Sequence, residues 1–283
     1  MKHREGNFSG ATGKSIYFQY WEPDEAPRAL VLVVHGVGEH SSRYAHLASY
    51  FCERGFVVAG LDHIGHGKSE GRYGFVECFS NYTDTLEIYR QQLAGDFPAL
   101  PMILLGHSMG GLISACLLLR QQDKFVGCVL SGPAIKTDLE PPWLQILLIR
   151  LLSLMLPKLG VLQLDANGVS RDAAVVADYC ADPLVFHGKM SARSVSELFA
   201  AMHDVQARAS EICLPLLLLH GSEDSLTAPA GSQFLYDTVS SAEKTLKIYP
   251  GLYHEIFNEP EQLEVFADLY GWCEQCLQGG ESA

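Results

Sequence analysis

Positive charge is scarce in this sequence. Its 20 lysines and arginines face 33 aspartates and glutamates, which gives a formal net charge of −13 over 283 residues. A chain of this charge repels the phosphate backbone of nucleic acids and the anionic surface of many membranes. The charge balance therefore argues against a nucleic-acid partner.

Cysteines and long apolar segments are also scarce. The 8 cysteines lie well below the density of a disulfide scaffold, and Cys116 and Cys128 fall in runs that are typical of buried helix or strand. The segment from Met1 to Trp21 has no apolar stretch of the length that a secretory signal or a membrane anchor needs. We therefore expect reduced thiols and a cytoplasmic protein.

The common cofactor and metal motifs are incomplete. Residues 65–69 end like a phosphate-binding loop, but Asp62 stands where the earlier glycine is required. A dinucleotide-binding fingerprint fails at Ser41, which replaces its third glycine. Cys273 and Cys276 lack a second ligand pair and are typical of a helix face. We therefore expect no cofactor and no metal.

Short apolar runs of strand length recur along the chain, and turns and helical patterns separate them. Continuous runs, rather than alternation of apolar and polar residues, indicate strands that are buried on both faces. This pattern predicts an α/β fold with a mostly parallel sheet that helices cover on both sides. The predicted strands are Ala29–Val34, Phe56–Leu61, Met102–Leu105, Phe125–Leu130, Leu214–Leu219 and Thr245–Tyr249.

The strand pattern breaks between residues 134 and 209, where the sequence predicts helices. We interpret this segment as an insertion that divides the rest of the chain into residues 1–133 and 210–283. Its stretch from Trp143 to Leu156 is apolar at nearly every position, yet it is too short to span a bilayer. From the sequence alone, it is either an ordinary buried helix or one that lines a pocket or contacts a membrane.

The segment Gly106-His-Ser-Met-Gly110 joins a predicted strand to a predicted helix. This is the G-x-S-x-G pattern in which a sharp turn leaves the serine exposed. Glycines on both sides keep side chains out of the crowded turn. The pattern predicts that Ser108 is a nucleophile and that the backbone amide of Met109, at a helix N-terminus, stabilises an oxyanion.

A serine nucleophile needs a base and an orienting acid, which in this arrangement follow in the order serine, acid, histidine. Glu223 and Asp224 come directly after one predicted strand, and we prefer Asp224 as the acid. His254 lies in the loop after the next strand and is the predicted base. His107 and His220 sit at strand ends, where hydrogen bonds to the backbone explain them.

A glycine-rich turn follows the first predicted strand. It places the amide of Val37 where a second oxyanion donor could face Ser108. By itself, this turn is equally consistent with a simple connection after a strand. The presence of Ser108 favours the catalytic interpretation.

Together these segments resemble the α/β-hydrolases of the monoacylglycerol lipase and lysophospholipase type. The resemblance covers nearly the whole chain. It rests on the motifs at residues 35–44, 62–69, 106–111, 220–224 and 249–254. It implies an α/β-hydrolase fold with an inserted helical cap over residues 134–209, a triad of Ser108, Asp224 and His254, and an oxyanion hole formed by the amides of Val37 and Met109.

The resemblance also implies a substrate. It points to a serine carboxylester hydrolase that cleaves monoacylglycerols, with lysophospholipids or other lipophilic monoesters as the next candidates and a non-catalytic lipid-binding protein as the alternative from another class. Relatives can carry a second histidine three residues after the base, where this chain has Phe257. The resemblance implies glycerol contacts from Glu39, Arg43 and Tyr179, and substrate or membrane contacts from Trp143, Leu147 and Leu151 in the cap.

Overall fold

The computed structural model describes residues 1–137 and 143–280. The strands are β1 (Lys2–Ser9), β2 (Ser15–Glu22), β3 (Ala29–Val34), β4 (Phe56–Leu61), β5 (Met102–His107), β6 (Gly127–Ser131), β7 (Gly160–Leu162), β8 (Met190–Ser191), β9 (Leu216–Gly221) and β10 (Lys244–Tyr249). The helices are α1 (Ala45–Cys52), α2 (Ser80–Asp96), α3 (Met109–Gln121), α4 (Trp143–Met155), α5 (Ala173–Ala181), α6 (Ala192–Arg208), α7 (Pro229–Thr238) and α8 (Gln262–Gly280).

Eight strands form one sheet in the order β1-β2-β4-β3-β5-β6-β9-β10. The neighbours from β4 to β10 in this order are parallel, and β1 and β2 are added in antiparallel pairing. The six strands that the apolar runs predict are all present, and no end differs by more than two residues. The prediction of an α/β fold with a mostly parallel sheet is confirmed.

The central strands are buried on both faces because successive side chains point to opposite sides of the sheet. In β3, Leu30 and Leu32 belong to the core on one side, and Val31 and Val33 belong to the core on the other. Helices α2, α3 and α7 contribute to the first core, and α1 and α8 to the second. The continuous apolar runs therefore reflect helices that cover both faces.

The strands β1 and β2 were not among the predicted strands. Most side chains of β1 are exposed, so this edge strand has no apolar run that would mark it. Its pairing with β2 runs through all eight of its residues, from Lys2 opposite Glu22 to Ser9 opposite Ser15. Pairing with β2, whose side chains are mostly buried, therefore specifies the exposed strand β1.

Helices α4, α5 and α6 lie between β6 and β9 and form a cap together with the short strands β7 and β8. The expectation that this segment contains helices alone is wrong, since β7 pairs with β8 in an antiparallel ribbon. Strands of three and two residues are too short to leave a pattern in the sequence. The boundaries of the insertion at residues 134 and 209 remain predictions.

Parallel strands bring distant parts of the chain to one edge of the sheet. Val37 follows β3, Ser108 follows β5, Asp224 follows β9 and His254 follows β10. Because the carboxyl ends of parallel strands meet at the same edge, these loops lie together beneath the cap. Among the described helices, none has both the length and the apolar character required to cross a bilayer. All eight cysteines are unpaired.

Three histidines near this edge are fully buried and lie close together. The ring centroids of His35 and His63 are 4.3 Å apart, and those of His35 and His66 are 5.4 Å apart. Burial lowers the pKa of all three, to about 3 for His66. Both ring nitrogens of His63 lack a hydrogen-bond partner. The folded chain therefore keeps these imidazoles neutral in mild acid.

Neutral buried histidines make the fold sensitive to acid. Below the ordinary histidine pKa of about 6.5, the unfolded chain binds protons that the folded chain excludes, which costs about 1.4 kcal/mol of stability per histidine per pH unit. We expect His63→Phe to make the fall in the free energy of unfolding shallower by about this amount between pH 6 and pH 4. Urea denaturation across this range measures it.

His203→Phe provides a matched control, because His203 is exposed on α6. This variant is expected to keep the pH dependence of the wild-type chain. An unchanged slope in His63→Phe would contradict the prediction, since it would mean that His63 takes up a proton in the folded state.

Candidate active site

Ser108 occupies a strained turn between β5 and α3. Its φ of 55° and ψ of −121° make it the one non-glycine residue with positive φ among those described. A Cβ atom at position 110 would lie 1.9 Å from the carbonyl oxygen of Val34, and one at position 106 would lie 2.4 Å from Ser114 Oγ. Glycine is therefore required on both sides of the serine, as the pattern predicted.

Asp224 and His254 form a buried pair next to this turn. His254 Nδ1 lies 2.6 Å from Asp224 Oδ2, so the ring donates to the carboxylate. Burial raises the pKa of Asp224, but the nearby His254 and the hydrogen bonds to the carboxylate outweigh burial and hold the pKa well below its usual range. Burial lowers the pKa of His254, but Asp224 outweighs that effect and raises it above the usual value. The pair is an anionic acid and a strengthened base.

Ser108 and His254 line the same small cavity of about 20 Å³. This volume is enough for about one water molecule. The structure therefore brings Ser108, Asp224 and His254 together, and their catalytic roles remain predictions. The other lining residues are Gly36, Val37, Glu39, His107, Leu164, Asp165, Val169, Tyr179, Leu226 and Glu255.

Of the two predicted oxyanion donors, Val37 lines this cavity and Met109 directly follows Ser108 in the chain. Met109 is the first residue of α3, so its amide has no partner within the helix and carries the positive end of the helix dipole. Val37 lies in the turn after β3 and lines the cavity directly. Glu39 Oε1 holds this turn by accepting the Gly36 amide at 2.6 Å. Their role as donors remains a prediction.

A buried ion network lies behind the cavity. Arg43 donates two hydrogen bonds to Glu255, at 2.5 and 2.7 Å, and one to Glu39 at 3.2 Å. Tyr44 donates to Glu39 at 2.9 Å. The guanidinium of Arg43 lies 4.8 Å from the ring centroid of Tyr179 in α5. This network links the turn after β3, the loop after β10 and the cap.

The ion network fixes the charge of its members. Burial raises the pKa of Glu39, but Arg43 outweighs burial and the pKa is lowered overall. Burial lowers the pKa of Arg43, yet Glu255 and Glu39 outweigh it and raise the pKa above its usual range. Glu39, Arg43 and Tyr179 thus lie together beside Ser108. Their contacts with a glycerol group remain predictions.

A larger cavity of about 520 Å³ lies under the cap beside the first one. The two cavities share the lining residues Val37, Leu164, Asp165 and Tyr179. The residues that line the larger cavity alone are Gly38, Gln163, Ala166, Cys180, Phe186, His187, Gly188 and Met190. Leu164 and Asp165 of the cap thus border both the larger cavity and the space beside Ser108.

Helix α4 presents apolar side chains to solvent. Leu147 is 54% exposed and Leu151 is 51% exposed, and neither lines either cavity. The structure therefore does not bring these two predicted contacts to Ser108. The side chain of Trp143 lies outside the described residues. Phe257 also stays away from the site, because it is buried in the core against Phe266.

Several residues of the site carried no clear signal in the sequence. Gly132, at the end of β6, has a φ of +49°, and a Cβ there would lie 3.2 Å from His254 Nδ1. Thr227 donates its amide to Asp224 at 2.9 Å, and Glu255 holds Arg43. His220 contacts Asp224 as well as the backbone, although its sequence position predicted backbone bonding alone. Its place four residues before the acid was the available signal.

A strained serine after one strand, an acid after a later strand and a histidine after the last define the class of α/β-hydrolases with a serine at the nucleophile position. Within this class, the model of the Hydrolase_4 family, described as serine aminopeptidase, S33, matches residues 25–261. The chain belongs to this family.

Comparison with known proteins gives more specific relatives. The chain is 41% identical over 268 residues to a monoacylglycerol lipase of Mycolicibacterium smegmatis, covering 95% of this chain and 96% of that one. It is 34% identical over 268 residues to human monoglyceride lipase, covering 94% and 88%. A crystal structure of the monoacylglycerol lipase from Paleococcus ferrophilus superposes with a TM-score of 0.81 at 29% identity, covering 98% and 99%.

These relatives and the family confirm the resemblance that the motifs indicated. The protein is a serine ester hydrolase with an α/β-hydrolase fold.

Gly132 offers a test of the geometry around the acid–base pair. A methyl group at this position would press on His254 Nδ1 at 3.2 Å and Asp224 Oδ2 at 3.3 Å. Small displacements of reacting groups reduce rates steeply, so we expect Gly132→Ala to lower kcat for ester hydrolysis by about tenfold or more. Steady-state kinetics with a soluble ester measures this.

Gly13→Ala is the matched control. Gly13 has a similar φ of +75°, but a Cβ there meets no atom within 4 Å. Gly13→Ala therefore introduces the same kind of backbone strain far from the site, in the turn between β1 and β2. Equal losses of kcat in the two variants would assign the effect to backbone strain and not to the pair.

Proposed function

We propose that this protein hydrolyses monoacylglycerols to fatty acid and glycerol through an acyl-enzyme on Ser108. The observation that carries the proposal is the 2.6 Å contact between His254 and Asp224 beside the strained Ser108. The names of the three relatives support the substrate class. Asp224 is the acid, His254 the base, and the amides of Val37 and Met109 form the oxyanion hole.

The first half of the reaction forms the acyl-enzyme. Because Nδ1 of His254 is bound to Asp224, Nε2 takes the proton of Ser108 as Oγ attacks the ester carbonyl. The carbonyl oxygen becomes an oxyanion, which the two amides stabilise, each by about 3 kcal/mol in the transition state. The intermediate then expels glycerol, which leaves with the proton from His254.

The second half releases the fatty acid. Water enters the space that glycerol has left, and His254 takes a proton from it as its oxygen attacks the acyl carbonyl. The new intermediate collapses, the bond to Ser108 Oγ breaks, and His254 returns the proton to the serine. Asp224 stays ionised throughout and orients the ring.

The cavities suggest where the substrate lies. A volume of about 20 Å³ beside Ser108 cannot hold an ester and its substituents, whereas about 520 Å³ is within the range of small-molecule pockets. The acyl chain therefore occupies the larger cavity under the cap. Leu164 and Asp165 border both spaces, so the bound substrate passes these two residues.

The charges near Ser108 favour a neutral head group. The carboxylates of Glu39, Asp165 and Glu255 line the smaller cavity, and Arg43 is paired with two of them. A phosphate in this position would face like charges at short range. The surroundings therefore favour glycerol over the phosphate of an anionic lysophospholipid. In this proposal Glu39, Arg43 and Tyr179 contact the glycerol hydroxyls, which is supported by Glu39 and Tyr179 lining the cavity of Ser108.

We also propose that the cap contacts the lipid surface. On α4, Leu144, Leu147, Leu148 and Leu151 are each more than half exposed. Such a concentration of exposed leucines marks an interaction surface in a soluble fold. An exposed apolar helix of this kind suits a cap that rests on a membrane surface.

Ser108→Ala tests the proposed function together with a substrate panel. The purified chain is expected to hydrolyse monoacylglycerols much faster than lysophosphatidylglycerol, because of the carboxylates near Ser108. Ser108→Ala is expected to retain the circular dichroism of the wild-type chain and to lose about 10⁴-fold or more in kcat. Release of fatty acid is the measurement.

The panel also separates the alternatives. Activity confined to short soluble esters would replace the monoacylglycerol assignment with a general carboxylesterase, and a preference for lysophospholipids would replace it with a lysophospholipase. Lipid binding without turnover would indicate a non-catalytic lipid-binding protein. Normal turnover in Ser108→Ala would overturn the assignment of Ser108 as the nucleophile.

The contact with the lipid surface is tested by Leu147→Glu with Leu151→Glu. Charged side chains oppose burial in the interface, so the rate on vesicle-embedded monoacylglycerol is expected to fall relative to the rate on a soluble ester. Leu263→Glu is the matched control, because Leu263 is 68% exposed on α8, outside the cap. An unchanged ratio of the two rates in the cap variant would contradict the proposed contact.

A further inference from the structure

His220 is a second histidine on the carboxylate of Asp224. It lies near the end of β9 and is fully buried. Its Nε2 atom is 3.1 Å from Asp224 Oδ2 and 3.1 Å from the carbonyl oxygen of Thr227. Its Nδ1 atom is 2.7 Å from Oγ of Ser232, which is fully buried in α7. The ring thus bridges helix α7 and the acid.

These contacts determine which nitrogen carries the proton. A carboxylate oxygen and a carbonyl oxygen both accept hydrogen bonds and cannot donate them, so Nε2 of His220 must be the donor. In the neutral ring, Nδ1 is then an acceptor, and the hydroxyl of Ser232 donates to it. The two oxygens that face Nε2 therefore fix the tautomer, and the hydroxyl of Ser232 satisfies the other ring nitrogen and holds the ring in this orientation.

The contact with His220 completes the surroundings of the carboxylate. Asp224 Oδ1 accepts the amides of Leu226 at 2.8 Å and Thr227 at 2.9 Å. Asp224 Oδ2 accepts from His254 at 2.6 Å and from the hydroxyl of Thr227 at 2.9 Å, and His220 Nε2 lies 3.1 Å from the same oxygen. Donors thus approach both oxygens from several sides, which leaves the carboxylate one orientation.

We propose that His220 is a positioning residue, which holds Asp224 in the orientation that aligns His254 with Ser108, and that Ser232 holds the ring of His220 in place for this task. The inference rests on the proposed function, because it assigns to His220 an effect on the proposed triad. His220 acts through Asp224, touches no reacting atom and is expected to influence kcat more than KM.

Two amide substitutions separate the contacts of His220. The amide nitrogen of glutamine can reach the position of Nε2, so His220→Gln can retain the donation to Asp224. Asparagine is shorter, and its amide group reaches only the position of Nδ1. His220→Asn therefore keeps the contact with Ser232 and loses the contact with Asp224. The two variants are similar in polarity and differ in which contact survives.

The kinetics of these variants test the proposal. We expect His220→Asn to lose about tenfold to a hundredfold in kcat with a nearly unchanged KM, because a loosened acid misplaces the base. His220→Gln is expected to retain most of the wild-type kcat. Equal losses in both variants, or a loss in His220→Gln alone, would overturn the positioning role.

A double-mutant cycle distinguishes positioning from a general structural effect. In an Asp224→Asn background the carboxylate is absent, so His220→Asn is expected to cause little further loss of kcat. The same fold-loss in both backgrounds would overturn the proposal. If His220→Asn does not fold, Ser232→Ala decides instead, because it removes the contact that holds the ring of His220: a lower kcat with unchanged KM supports positioning through this ring, and an unchanged kcat overturns it.

Ser108→Ala separates failure of this inference from failure of the proposed function. If Ser108→Ala is inactive while the His220 variants behave alike, the proposed function stands and the positioning role fails. If Ser108→Ala remains active, the proposed function fails, and the role of His220 fails with it.

Discussion

The carboxylate of Asp224 is buried, and a buried charge costs several kcal/mol unless the surroundings compensate it. The compensation here comes from His254, Thr227, Leu226 and His220. These donors belong to the end of β9, the loop that follows it and the loop after β10. Satisfying one negative charge thus fixes the relative positions of these segments, and His254 is held in place as a result.

Close backbone approach is the second constraint at this edge of the sheet. The elbow at Ser108 packs so tightly against the end of β3 that position 110 admits glycine alone, and the acid–base pair packs against Gly132 at the end of β6. Both contacts depend on the parallel arrangement, in which every strand of this part of the sheet ends at the same edge. The fold therefore creates the site by bringing the carboxyl ends of parallel strands together. Glycine stands at the positions where their backbones come closest.

The sequence predicted the parts of the structure that burial controls. Apolar runs located six strands, and the motifs that directly follow three of them predicted that Ser108, Asp224 and His254 lie together, because each strand and each motif is a local pattern. Interactions across the sheet left no such signal. Nothing near Gly132 in the sequence indicates a neighbour at position 254, and the exposed strand β1 is specified by pairing with β2 and not by apolar residues.

The contacts of His220 were also predicted only in part. Its position at a strand end correctly predicted a bond to the backbone, which is the contact with the Thr227 carbonyl oxygen. The contacts that matter for the proposed mechanism come from Ser232 on α7 and Asp224 in the loop after β9. A helix position that packs over a strand end cannot be inferred from spacing along the chain.

The net charge of the chain opposes the proposed contact with lipid, whereas the exposed leucines of the cap favour it. A net charge of −13 disfavours approach to an anionic membrane, and the apolar face of α4 favours burial in one. Full burial of one leucine side chain contributes about 2 kcal/mol, so a few leucines outweigh the repulsion of a surface that salt largely screens. Contact of this kind depends on apolar area and not on charge, which suits an enzyme whose proposed substrate is itself neutral.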